Sequence, residues 1–144
     1  MVSTLYYRIW NIIKLVYLYI LYWVVGLDEE DFFIPKANYC AEIGWFKAAI
    51  ESYTKALHET DDPRIRAAIG WCYAELGVNE KSVENYRIAY EKNNSPEIAI
   101  GLAFAEYSVG NLTEFRNIYK KLKSSELEVA SEFKEQLKEL HCIK

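Results

Sequence analysis

The side chains best suited to covalent or metal chemistry are Cys40, Cys72 and Cys142, together with His58 and His141. Their spacing argues against both uses. No Cys-x-x-Cys pair occurs and no two histidines are close in sequence, whereas a zinc site needs about four clustered ligands and a disulfide framework an even count. Cys40 and Cys72 fall in helical stretches, where a thiol serves as a small apolar side chain; redox chemistry is the rival reading. Cys142 has only Ile143 and Lys144 after it, one residue short of a prenylation signal. His58 and His141 lie in or beside polar helix ends and read as solvated. Glu51, Glu59 and Glu84 fit ordinary solvent faces, with nothing to bring two carboxylates together for acid–base work. There is no phosphate-cradling glycine loop, nucleophile elbow or His-Glu-x-x-His spacing. We therefore expect a protein that is not an enzyme and uses no metal or cofactor. Asn111-Leu112-Thr113 has the form of a glycosylation tripeptide, but it sits where a helix should begin, and capping is the expected role.

The elements that would position any binding surface are written as a repeat. Gly44, Gly77 and Gly110 are spaced by 33 residues, as are Pro63 and Pro96, Ala56 and Ala89, and Tyr53, Tyr86 and Tyr119. A fixed period of about 33 residues with two helical stretches per unit is the mark of a helical solenoid, whose repeats bury their apolar faces by stacking on neighbours. The pattern predicts helices over 35–43, 46–58, 63–76, 80–92, 96–109 and 113–123. Asp62-Pro63 and Ser95-Pro96 each place a capping acceptor before a first-turn proline, and the three glycines end the first helix of each pair. Ser125-Glu126-Leu127-Glu128 has the form of a capping box and opens a last amphipathic helix, expected to close the stack over residues 126–144. A coiled-coil partner helix is its rival reading.

These residues resemble the tetratricopeptide repeat family. Its unit carries a Leu, a small residue and a Tyr in the first helix, then small, aromatic and Ala positions in the second. The central copy here has Ile69, Gly70 and Tyr73, then Ser82, Tyr86 and Ala89. The copy before it supplies Ala37, Ala49, Tyr53 and Ala56, and the one after it Leu102, Ala103 and Tyr119. The departures are a unit of 33 rather than 34 residues, Lys36 in the first copy, and Glu106, Phe115 and Leu122 in the last. The resemblance implies about three helical hairpins over residues 35–125 and a concave groove lined by the first helix of each pair. Carried over by register, the groove takes in Ile34, Asn38, Arg64, Ala67, Trp71, Ala74, Ile100, Phe104 and Tyr107. Of these Asn38, Ala67, Trp71, Ile100, Phe104 and Tyr107 are the expected partner-binding residues. Of the Lys, Arg and Asn set with which this family grips an acidic chaperone tail, the resemblance leaves Asn38, so an apolar helix or segment is the expected ligand. Burial of the same rings by the chain's own Phe32-Phe33-Ile34 or by its N-terminal helix is the competing expectation.

The first 27 residues are different in kind. Their only charged side chains are Arg8 and Lys14, so with a total of −4 the remainder carries −6. An acidic repeat region without basic clusters is poorly suited to a nucleic-acid backbone. Leu5–Leu27, about 23 residues, would reach about 34 Å as a helix, enough for a hydrocarbon core of about 30 Å. Arg8, Trp10, Lys14, Tyr22 and Trp23 are placed to sit at the two membrane interfaces. Tyr7, Asn11, Lys14 and Tyr17 gather on one helical face, which also fits a helix lying in the interface or docked on other subunits. A secretory signal ending near Val24-Val25-Gly26 and a helix packed on the chain's own repeats complete the set of readings. The positive-inside tendency puts the N-terminus in the cytoplasm and the repeats outside it. Residues 28–34, acidic and then aromatic, read as a hinge, with Pro35 opening the first repeat helix.

The expectation is thus an all-α protein: a hydrophobic membrane-type helix over 1–27, a hinge, tetratricopeptide-like hairpins and a capping helix. Its expected role is a membrane-anchored scaffold or accessory subunit that binds other protein subunits of a membrane complex. A soluble adaptor whose N-terminal helix packs on its own repeats is the alternative.

Overall fold

The computed structural model describes residues 2–124. The expected capping helix, with His141 and Cys142, lies outside them. Among the described residues the chain is all-helical: α1 (Val2–Val25), α2 (Glu29–Glu42), α3 (Phe46–Glu59), α4 (Pro63–Glu75), α5 (Asn79–Lys92), α6 (Pro96–Ser108) and α7 (Leu112–Ser124). Each helix packs on the next in chain order, and α4 also meets α6.

The 33-residue period is present in the backbone. Helices α2, α4 and α6 end at residues 42, 75 and 108, and α3, α5 and α7 begin at 46, 79 and 112. The three turns between them are built alike. Gly44, Gly77 and Gly110 adopt φ of 85°, 72° and 78°. The left-handed backbone lets each glycine amide bond the carbonyl three residues back while the following amide reaches five back: Trp45 to Cys40, Val78 to Tyr73 and Asn111 to Glu106. This pair of bonds satisfies carbonyls that a helix end otherwise leaves open.

The first repeat helix differs from expectation. It starts at Glu29, and Pro35 sits inside it, so residues 29–34 are helix rather than hinge. Phe32 is the reason: its ring is buried, stacked on Tyr22 at 4.1 Å and edge-on to Tyr19 at 5.1 Å. Burial of that ring against α1 holds the extra turns, although proline leaves the Asp31 carbonyl without its helical donor. Ser95 also departs from its expected role. Asp62 caps α4 by accepting from the Arg64 amide at 2.8 Å, but the Ser95 side chain makes no cap bond; its own amide instead donates to Asn93 Oδ1 at 3.1 Å.

Two apolar clusters form the core. One gathers Leu15, Ala37, Cys40, Ala49, Tyr53, Ala56, Ile69 and Cys72 from α1 to α4; the other gathers Ala99, Leu102, Ala103, Phe115 and Ile118 from α6 and α7. Tyr86 of α5 joins the two halves. Its ring lies against the backbones of Gly70 and Gly101, so close that a Cβ on Gly101 would stand 2.3 Å from Tyr86 Cε1. Only glycine admits that approach.

Candidate functional site

Two adjoining clefts run along α4 and α6, of about 560 Å³ and about 420 Å³. Both are lined by Trp71, Tyr86 and Glu97. The first adds Arg64, Ala67, Ala68, Asn93, Ser95 and Ile98, and the second Ala74, Ser82, Ile100, Gly101 and Phe104 among others. Helix periodicity explains the lining, since Ala67, Trp71 and Ala74 recur at four and three residues along α4, and Glu97, Ile100 and Phe104 at three and four along α6. The Tyr86 ring, seated on the two glycines, is the wall the clefts share.

Four of the six residues expected to bind a partner, Ala67, Trp71, Ile100 and Phe104, therefore line one continuous apolar depression. Trp71 is 40% exposed and packs edge-on against Phe46 at 5.5 Å, which fixes the ring and leaves its other side open. The remaining two lie elsewhere. Asn38 is exposed on α2, where its Oδ1 accepts from the Tyr53 hydroxyl at 2.6 Å. Tyr107 turns toward α7 and meets Phe115 at 5.4 Å. Tyr86, Asn93 and Glu97 were not foreseen as lining residues. The signal for Tyr86 was there: an aromatic on the 33-residue period, facing glycines at 70 and 101.

Three charged side chains line the clefts: Glu97 in both, Arg64 in the first and Glu75 in the second. Arg64 is engaged by Asp62, Nη2 to Oδ2 at 2.7 Å, and this hydrogen bond holds the Asp62 carboxyl below its usual range. Burial pushes the Tyr86 hydroxyl up to about 12 and the Cys72 thiol to about 11, so both are neutral near pH 7. Nothing in the clefts pairs a nucleophile with a base. Among the described residues no three His, Cys, Asp or Glu side chains converge as a metal-binding group. What the depression offers is a rigid, ring-lined surface for apolar side chains.

A second surface is α1. Thr4–Val25 is one helix long and apolar enough to cross a membrane, with mean hydropathy 1.4. It also packs on α2, and the two run antiparallel. At one end Arg8 Nη2 donates to the Ile43 carbonyl at 2.7 Å, at the C-terminal end of α2, where a cation suits the helix dipole; at the other, Tyr22 stacks on Phe32. Asn11, Leu15 and Leu18 are buried between these points. Lys14 reaches the rings of Trp10 and Tyr39, its Nζ 6.0 and 5.6 Å from their centroids. Of the expected membrane-interface residues, Arg8, Lys14 and Tyr22 thus face α2, while Trp10 and Trp23 point outward, Trp23 at 80% exposure. The clefts are not covered by α1. No protein-family model matches the chain and no curated protein matches it.

Proposed function

We propose that the protein is a membrane-associated, tetratricopeptide-like scaffold whose depression along α4 and α6 receives an apolar helix or segment of another protein subunit. The observation that carries this reading is the open, braced Trp71 ring at the junction of the two clefts. A half-exposed indole held from one side by Phe46 loses little conformational freedom when a partner covers it, the usual character of a binding anchor. Repetition of the hairpins supports a stacked binding module, and the apolar outer side of α1 supports a place at the membrane, where the module serves a complex as an accessory or assembly component.

The test is joint replacement of Trp71 and Phe104 by Ala, followed by capture of partners from solubilised membranes. Selective loss of captured subunits, with helix content and melting cooperativity kept, is the expected result. Unchanged capture by the folded variant overturns the cleft as the binding surface. A soluble adaptor is the second reading, favoured by the docking of α1 on α2; full-length protein that stays monomeric and soluble without detergent would decide for it.

A further inference from the structure

We propose, resting on the membrane reading above, that α1 lies in the plane of one membrane surface as a docked interfacial helix, with both of its ends and all the repeats on the same side. The ligand of this face is a lipid bilayer. Three observations carry the inference.

First, the docking is incompatible with spanning. From Arg8 at Ile43 to Tyr22 at Phe32, α1 stays alongside α2 for about 21 Å of its length. If α1 crossed the bilayer in this state, α2 would enter with it. Lys36, whose Nζ stands 5.3 Å from the Tyr19 centroid, and Lys14, midway along α1, would then sit deep in hydrocarbon. Ionised groups at that depth are strongly disfavoured. Second, the polar groups are sorted by side. At 100° per residue Arg8, Asn11 and Lys14 fall on the half of α1 turned to α2. The opposite arc, including Tyr6, Ile13, Tyr17, Ile20 and Val24, carries no charge. Third, that arc is exposed along its whole length, from Tyr6 at 70% to Val24 at 77%. An apolar arc ending in Tyr and Trp rings, with basic side chains held along its opposite edge, matches the acyl and headgroup layers of one leaflet.

The experiment uses the full chain with Cys142→Ser, made by cell-free synthesis onto preformed sealed vesicles of phosphatidylcholine with a minor share of phosphatidylglycerol. Thr4→Cys or Asp28→Cys is added, and floated vesicles are treated with a membrane-impermeant maleimide. The parent measures the background from the buried Cys40 and Cys72. Both ends should react in intact vesicles to the level reached after detergent. One end reacting only after detergent overturns the in-plane placement and leaves the membrane reading intact. Protein that does not float overturns both. Ile13→Asp with Ile20→Asp should lower the floated fraction about tenfold or more, and an unchanged fraction for a folded variant would show that this arc does not meet lipid.

Discussion

Tyr86 shows how much one side chain can depend on hydrogen atoms elsewhere. Its ring occupies the space where Gly70 and Gly101 have no Cβ, and so sets the approach of α4, α5 and α6. Gly101→Ala should therefore cost about 1–3 kcal/mol by overpacking, read as a lowered urea midpoint with an unchanged slope. Adding Tyr86→Leu to that variant should recover part of the loss, whereas additive losses in the double-mutant cycle would show that the ring is not the obstacle. Glu106 is the other informative residue. It stands where the repeat pattern asks for an aromatic, and it is fully buried. The structure satisfies it from two sides, by Arg87 Nε at 2.6 Å and Asn111 Nδ2 at 2.8 Å. A carboxylate out of pattern in an apolar register was legible as an anomaly, but its partners were not, because Arg87 reaches it from another helix. The same bond draws Asn111 into the turn, and its Oδ1 lies 3.5 Å from the Glu114 amide, the position of a cap.

At the scale of elements, the hairpins were readable because glycine and proline punctuate them at equal intervals and each residue type has one physical use there. The start of α2 was not readable. An acidic run followed by proline has the composition of a hinge, and only the ring of Phe32, placed against a helix distant in composition, turns it into helix. Local propensity yielded to tertiary burial. Register put Trp71 and Phe104 on one cleft wall, whereas the bond that holds Asn38 to the Tyr53 hydroxyl on α2 is not written in the spacing. The α1–α2 seam contains a weakness of its own. Asn11 is fully buried, yet neither amide atom has a hydrogen-bond partner among the described residues. An unpaired buried amide costs about 1–3 kcal/mol. Asn11→Leu should strengthen the seam by about that amount, seen as slower hydrogen exchange of α1 amides in the same detergent. Faster exchange would mean that the amide is satisfied in solution.

For the molecule as a whole, helices that pack on their sequence neighbours make a chain of local interfaces, and Tyr53, Cys72 and Tyr86 lie at the joints between them. Burial raises all three above their ordinary values, to about 11 for Cys72 and about 12 for Tyr86. The folded state therefore holds protons that the unfolded chain releases from about pH 9 to 10 upward. Stability is complete below that range and falls as the pH rises through about 12, because the native state binds more protons there. Chemical denaturation from pH 8 to 11 should show a progressive loss, reduced in a Cys72→Ala variant. A flat profile would contradict the burial of these groups.

The antiparallel seam also has a consequence in time. During synthesis α1 is complete at Val25, while the strand of chain that covers its Asn11, Leu15 and Leu18 side ends at Glu42, seventeen residues later. At a ribosomal rate of about 5–20 residues per second, that is a delay of about 1–3 s. The same interval separates the emergence of the two helices from the ribosome, and during it α1 lacks the cover of α2. How soon α2 covers this face of α1 therefore depends on the speed of translation across residues 26–42.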